Sequence, residues 1–276
     1  MNRTFISLLT LCLTYCVVFG GGLTKDELRL ASCTVVGKWV SYHVLLPDTT
    51  QVWSGSAGVI GFRKTKSHPK GVLVLITNSH VTCLSELSAS AYDDKPVILA
   101  YEMGIIFPSG KQKPVLAFAE EASNKDLATL VVDADGLAEG KDYASLPNGS
   151  NESLTEGNDV VAVGSPKGLS GTQTFGKISA LRQDSNCVLI QTDAAINHGN
   201  SGGPLFLKKR TIRHPLDGEF LWVGVNTCRF DDAQGLGFAI STKDAMSSKY
   251  SKYYSATKEG AAKNICEIRR INASSR

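Results

Sequence analysis

The sequence predicts an all-β chain, a sandwich or a barrel of many short strands. Apolar residues after position 33 fall in runs of about four to eight, rich in Val, Ile, Leu and Phe, which is the length of strands rather than helices. Turn signals separate these runs: Asp135-Gly136, Asn148-Gly149, Pro166-Lys167-Gly168 and Asp217-Gly218. Helical signal stays weak until Ser241. Short strands at this spacing are the signature of sandwiches and barrels.

In chain order, Thr34-Val35-Val36-Gly37 reads as an ordinary strand. Further strands are expected over 72–77, 96–101, 115–118, 127–132, 159–164, 172–181, 187–192, 204–207, 220–227 and 235–240. A soft boundary falls at 137–156, where Gly140, Pro147, Asn148, Gly149, Ser150 and Asn151 divide the strands into two groups. Beyond the last strand, Ser241 or Thr242 is placed to cap a helix through about Tyr254, with Asp244 in its first turn near the positive end of the helix dipole. Residues 261–276 are polar and expected to be loosely ordered.

The 276 residues make one large domain or two small ones. A composition of 42% hydrophobic and 20% charged residues belongs to a globular chain, not a disordered or collagen-like one. The net charge of +3 is too thin and dispersed to make nucleic acid or an anionic membrane the main partner. At the N-terminus, Arg3 precedes an apolar stretch from Phe5 to Phe19, shorter than the ~20 residues that span a bilayer. With small residues after it, 1–20 reads as an export signal cleaved near Gly20-Gly21, a short retained anchor being the alternative. The exported chain is then secreted or periplasmic, without stable membrane insertion. Cys12 and Cys16 leave with the signal. Cys33, Cys83, Cys187, Cys228 and Cys266 remain, an odd number in a compartment that permits disulfides.

The densest local signal is Thr192-Asp193-Ala194-Ala195-Ile196-Asn197-His198-Gly199-Asn200-Ser201-Gly202-Gly203-Pro204-Leu205. Three glycines surround one serine, and glycine permits the tight turns and close approaches that expose a nucleophilic oxygen beside backbone N–H groups. A Gly-rich β-turn is the plainer reading of this segment taken alone. Ile76-Thr77-Asn78-Ser79-His80-Val81 ends an apolar run with a histidine, and Asn124-Lys125-Asp126-Leu127-Ala128 opens another with an aspartate. A hydroxyl nucleophile needs a base to take its proton, and the base needs an acid to orient it. Histidine, aspartate and serine, each at a strand edge of an all-β chain, supply those three roles. His43, His68 and His214 lack metal-ligand spacing, no cysteine pair has C-x-x-C spacing, and Gly164-Ser165-Pro166-Lys167-Gly168 is not a P-loop. No metal or cofactor is expected.

The segments TNSHV, DLATLVV, VAVGSPKGLSGTQTFGKISAL, TDAAINHGNSGGPLF, VGVNT and GLGFAI together resemble the chymotrypsin-like (trypsin-like) serine proteases, and within them the HtrA/Deg family, over roughly residues 54–242. The resemblance implies two packed six-stranded β-barrels with the site in the cleft between them, the N-terminal barrel at 33–136 and the C-terminal one at 157–242. A short helix and tail follow at 243–276. It makes Ser201 the nucleophile, His80 the general base and Asp126 the orienting acid. Gly199 and Ser201 would supply oxyanion-hole N–H groups, with Asn200 shaping that loop. It also implies protein or peptide substrates, lying along the cleft by strand addition. The Gly199–Gly203 pattern fits the G-x-S-x-G elbow of α/β-hydrolases as well, but that fold orders its triad Ser, acid, His, and only His214 follows Ser201.

The chain departs from the family pattern in several places. His198 stands where HtrA members have Pro. Asn200 replaces the Asp that pairs with a new N-terminus in digestive proteases, so that activation switch is not expected. Ala195 replaces the Asp that binds Arg or Lys in trypsin-like enzymes. Ala195, Ile196 and the strand with Val225, Asn226 and Thr227 would instead wall a pocket for small or medium aliphatic residues. Loop insertions are expected at 88–95, 108–113 and 208–219. About 34 residues follow Thr242, too few for the PDZ domain that the family often carries. The oligomeric state is not fixed by these features. The resulting expectation is an exported serine endopeptidase. The alternative is a catalytically inactive protein of the same fold that binds polypeptides.

Overall fold

The computed structural model describes residues 21–43, 46–82, 97–123, 125–150, 152–184, 186–209, 218–229, 235–250 and 253–255. The export-signal segment, Cys83, Cys266, Asn151 and the loop stretches 88–95 and 210–217 lie outside these residues, so the expectations placed on them do too.

β1 (Cys33–His43) and β2 (Leu46–Arg63) form a long antiparallel ribbon, with Cys33 opposite Ala57 and His43 opposite Leu46. β3 (Val72–Thr77), β4 (Val97–Ile106), β5 (Gln112–Glu120) and β6 (Ala128–Asp133) extend it in the order β5-β4-β1-β2-β3-β6, and the β5–β6 pairing closes the barrel. β7 (Asp159–Gly164), β8 (Thr172–Gln183), β9 (Val188–Thr192), β10 (Pro204–Lys209), β11 (Glu219–Arg229) and β12 (Gly237–Ser241) close a second barrel in the order β10-β11-β12-β9-β8-β7. Two closed six-stranded antiparallel barrels make this an all-β fold of the expected kind.

The strands next to the junction are apolar on both faces because both faces are buried. On β3, Leu73 and Leu75 point into the first barrel with Val59, Ile105 and Val132, while Val74 and Ile76 point out toward the second. On β7, Val160 and Ala162 fill the second barrel with Leu205 and Val223, while Val161 and Val163 face the junction beside Leu127, Phe206 and Trp222. This is why these runs lack the polar alternation of a half-solvated strand.

Three local expectations change. β1 and β2 run well beyond 34–37, through Pro47, Asp48 and Gly55, residue types that strands disfavour; pairing along the ribbon overrides local preference. Gln112 and Lys113, read as loop, already belong to β5, opposite Ile106 and Ile105. The final helix, α2 in the numbering used here (Thr242–Ser247), stops well short of Tyr254. Its start is as expected: Ser241 Oγ accepts the Asp244 N–H at 3.2 Å. Its end is set by serines. Ser247 Oγ and Ser248 Oγ both donate to Asp244 O, at 3.1 and 2.8 Å, and Ser248 turns extended. The chain then crosses to the first barrel as β13 (Tyr253–Ser255), a seventh strand beside β5 with Tyr254 opposite Phe118.

One ionic anchor ties the β4–β5 turn to the loop after β6. Asp142 is fully buried; its Oδ2 accepts Lys111 Nζ at 2.9 Å and the Ala138 N–H at 2.8 Å. Burial alone would raise its pKa, but bonds from Ser109, Lys111 and Ala138 and the Lys111 charge bring it down to about 2. A carboxyl depressed in the folded state contributes stability that is fully present above its unfolded pKa of ~3.9 and is lost as pH falls. Asp142→Asn is therefore expected to lower the thermal midpoint at neutral pH and to flatten its decline between about pH 4 and 2. Parallel wild-type and variant melts across that window check this.

Candidate active site

The site is built at the junction, from the ends of strands of both barrels. β3 ends at Thr77 and the chain turns into the single helical turn α1 (Ser79–Thr82), which presents His80 at the surface. Three bonds and one close contact hold this turn from behind. Trp53 Nε1 donates to Val81 O at 2.7 Å, Tyr101 Oη donates to Thr82 O at 2.6 Å, and Thr82 Oγ1 reaches Ser79 O at 2.7 Å. A Cβ on Gly55 would lie 2.7 Å from Val81 Cγ1, so that glycine is what lets β2 approach.

Asp126 comes from the loop between β5 and β6 and has left-handed backbone, φ 56°, unusual for a non-glycine residue. Asn78 Nδ2, buried behind it, donates to its carbonyl at 2.9 Å. The Asp126 carboxylate is surrounded by donors. Oδ1 accepts Ser79 Oγ at 3.0 Å and the His80 backbone N–H at 3.1 Å; Oδ2 accepts Thr227 Oγ1 at 2.5 Å; both oxygens lie 3.0 Å from His80 Nδ1. Burial pushes this carboxyl up, but the bonds and charge of His80 and the Thr227 hydroxyl outweigh it, so it sits below the usual aspartate range.

Ser201 lies in the glycine turn between β9 and β10, half-buried. Its Oγ donates to Thr227 O at 3.0 Å, and its carbonyl accepts the Ser56 N–H at 2.8 Å. Thr227 thus joins the cluster twice, through its hydroxyl to Asp126 and its carbonyl to Ser201. The structure brings His80, Asp126 and Ser201 into one connected set of polar groups.

The turn itself has an uneven pattern of satisfied amides. Asn200 N–H donates to Asn197 O, Gly202 N–H to Asn226 O and Gly203 N–H to Asn200 O, at 2.8–2.9 Å. Among the described residues, the N–H groups of Gly199 and Ser201 have no such acceptor. Two neighbouring backbone donors of the turn are thus left without a backbone acceptor. The His198–Gly199 peptide is oriented by its carbonyl, which accepts the Lys167 N–H at 3.2 Å. Gly199 has φ +98°, and a Cβ there would lie 2.5 Å from Ser165 O. The next carbonyl, Gly199 O, is held by Ser56 Oγ at 2.6 Å, and Ser56 Oγ itself accepts the Ser165 N–H at 2.9 Å. Asn200 has its own N–H engaged, so it contributes loop shape rather than a donor; its Nδ2 reaches Ala195 O at 3.5 Å.

The residues expected to wall a pocket separate into two groups. Ala195 is exposed, with its carbonyl accepting Thr174 Oγ1 at 2.9 Å, and Ile196 packs so closely on Gly237 that a Cβ there would lie 2.5 Å from Ile196 Cγ1. The side chains of the β11 segment are engaged elsewhere. Val225 packs in the junction between barrels, Asn226 Nδ2 donates to Pro204 O at 3.2 Å, and the Thr227 hydroxyl is on Asp126. Sequence reasoning missed Ser56, Ser79, Trp53 and Tyr101 as supports of the site. A serine or an aromatic in a strand carries no local mark of which loop it will touch. Cys33 and Cys187 are both free and buried; burial raises the Cys33 thiol well above its ordinary range, and burial with the nearby Asp244 and Asp184 charges raises that of Cys187.

A family model described as the trypsin-like peptidase domain matches residues 55–211. The chain is 32% identical over 205 residues to the serine protease Do-like HtrA of Bacillus subtilis, which covers 69% of this chain and 38% of that protein. It is 43% identical over 128 residues to a Halomonas elongata protein named "Probable periplasmic serine endoprotease DegP-like", covering 44% of this chain and 24% of that one. The chain thus spans well under half the length of these relatives. Among solved structures, the serine endoprotease from Yersinia pestis superposes with a TM-score of 0.52 at 27% identity, over 80% of this chain and 62% of that chain. The HtrA-type protease AlgW with a decapeptide gives 0.54 at 26% identity, over 80% and 63%. With the matched segment running from β2 to the end of β10, and so through His80, Asp126 and Ser201, the chain belongs to the trypsin-like peptidase domain family.

Proposed function

We propose that the protein is an exported serine endopeptidase working through Ser201, His80 and Asp126. The observation that carries this reading is the Asp126 carboxylate, which accepts His80 Nδ1 at 3.0 Å while Thr227 links it to Ser201. With Asp126 ionised, His80 carries its proton on Nδ1 and keeps Nε2 as the acceptor. Ser201 Oγ leaves Thr227 O by rotating about χ1 between staggered positions and gives its proton to Nε2 as it attacks the scissile carbonyl. The developing oxyanion is received by the Gly199 and Ser201 N–H groups, which have no backbone acceptor among the described residues to give up first. His80 then protonates the leaving amine, and water hydrolyses the acyl-enzyme by the reverse sequence.

The test is covalent labelling with a fluorophosphonate. The wild-type chain is expected to be modified at Ser201 and the folded Ser201→Ala variant not at all. A folded wild type that resists labelling favours the inactive, polypeptide-binding reading instead.

The oxyanion assignment has its own check. Gly199→Ala puts a methyl against Ser165 O at a left-handed residue and turns the 198–199 peptide. Loss of one such donor costs about 10²–10³ in kcat with KM little changed, and steady-state kinetics on a peptide substrate measure it.

Ala195 stands where an Asp would select Arg or Lys, and with Ile196 it offers no charge there, so cleavage is expected after small or medium aliphatic residues. A scan of peptide libraries should show this preference, and dominant cleavage after Arg or Lys would overturn it. Export follows from 1–20 and agrees with the periplasmic name of the Halomonas elongata relative. N-terminal sequencing of the mature chain separates a cleaved signal from a retained anchor.

A further inference from the structure

Behind the His80 turn lies a second carboxyl group that the peptidase mechanism does not use. Glu120 ends β5, opposite Ala128, and is half-buried. Its Oε1 is 2.6 Å from Thr82 Oγ1, and Thr82 Oγ1 is 2.7 Å from Ser79 O. A threonine hydroxyl has one proton. Neither a carbonyl nor a carboxylate oxygen donates, so with an ionised Glu120 the single Thr82 proton can lie along only one of these two short contacts and the other would join two acceptors. Both are satisfied if the proton runs in one direction, from Glu120 to Thr82 Oγ1 and from Thr82 Oγ1 to Ser79 O. Ser79 in turn donates through its own hydroxyl to Asp126 Oδ1 at 3.0 Å.

We propose that Glu120 is a protonated carboxylic acid at neutral pH, and that its proton fastens the His80 turn to β5 and so positions His80 against Asp126. The setting agrees. Burial pushes the Glu120 carboxyl up and the nearby Asp126 charge adds to this, while a Thr82 hydroxyl donating to it would act the other way. Among the described residues, the titratable groups gathered at the turn are Asp126 from the β5–β6 loop, His80 from α1 and Tyr101 from β4, whose hydroxyl is on Thr82 O. The adjacent Glu121 is engaged by its own loop, its Oε2 accepting Ser123 and Lys125 N–H groups at 2.6 and 3.3 Å. Ionisation of Glu120 leaves Thr82 with two acceptors for one proton and sets a second negative charge beside Asp126. Glu120 acts through the turn and not on the substrate, so it is a positioning residue.

The protonation is tested on the whole chain, independently of activity, by following Glu δ-carbon resonances of a ¹³C-labelled sample with pH, the Glu120 signal being the one absent in Glu120→Gln. The expected result is the resonance position of a neutral acid at neutral pH, moving only on the alkaline side. Thr82→Val supplies the opposed outcomes. If Glu120 is the donor, losing its acceptor destabilises the neutral acid and the titration midpoint falls; if Thr82 is the donor, the midpoint rises. An ionised resonance at neutral pH, or a rise in Thr82→Val, overturns the proposal. The positioning role rests on the peptidase reading. It predicts that kcat declines with Glu120 ionisation in the wild type, that Glu120→Gln abolishes this decline, and that KM moves little. Unchanged profiles in Glu120→Gln overturn that role, whereas an unlabelled, inactive wild type overturns the peptidase reading and leaves the resonance test standing.

Discussion

On the proposed mechanism, Ser201→Ala is expected to lower kcat by about 10⁶-fold, because there the hydroxyl is the atom acylated and nothing else in the turn replaces it. His80→Ala is expected to cost nearly as much, and the double variant hardly more. The reason is the connectivity of the cluster. In the proposed mechanism Ser201 is nucleophilic only when His80 takes its proton, and His80 has no task without Ser201, so the two are expected to act as one unit. Single-turnover kinetics of the two single variants and the double variant measure this. Losses that multiply across the pair would mean that the residues act independently, and would contradict the peptidase mechanism. Thermal midpoints near wild type are expected for Ser201→Ala, since Ser201 Oγ makes one partly buried bond, to Thr227 O.

Asp126→Asn is expected to cost about 10⁴ in kcat, through the tautomer of His80 rather than through folding. Four donors converge on the two oxygens of Asp126. An asparagine offers one oxygen. With that oxygen serving Ser79 and the His80 amide on the Oδ1 side, the NH₂ group faces His80 Nδ1 and the Thr227 hydroxyl. The hydroxyl can reverse and accept; the imidazole must give up its Nδ1 proton and carry it on Nε2, where it cannot receive one from Ser201. The carboxyl of Asp126 is held below the ordinary range, so it stays charged as the pH drops past that range. Its contribution to stability is correspondingly present above the unfolded pKa of ~3.9 and lost as pH falls through the lower folded value. The acid decline of kcat/KM in the wild type should therefore not track an ordinary aspartate. Nitrogen NMR of labelled histidine checks the tautomer directly, and an Nδ1-protonated His80 in Asp126→Asn would refute this account.

The order and type of the elements could be read along the chain because the signals are local. Runs such as 72–77 and 159–164 carry their apolarity in adjacent residues, glycine and proline mark the turns, and Ser241 with Asp244 marks the start of α2. The three central residues could be read for a related reason: His80, Asp126 and Ser201 each stand at a strand edge inside a short, distinctive segment. The length of the β1–β2 ribbon was hidden, since Pro47, Asp48 and Gly55 are residue types that strands disfavour until pairing along the ribbon overrides that preference. So was the return of the chain as β13, a strand that exists only because the β5 edge is there to receive it.

Tertiary structure alone decided the roles of Thr227, Ser56 and Glu120. Thr227 lies 101 residues from Asp126, and its side chain, expected to line a pocket, is on that carboxylate. Ser56 reaches Gly199 O across 143 residues. Glu120 and Thr82 meet across 38. The sequence by itself determined the all-β fold and the chemical types at the site, because periodicity and turn chemistry are properties of neighbours in the chain. Which atom donates to which was decided only when two barrels closed and brought distant segments within about 3 Å, since hydrogen bonds depend on distance and direction in space and leave no trace in the order of residues.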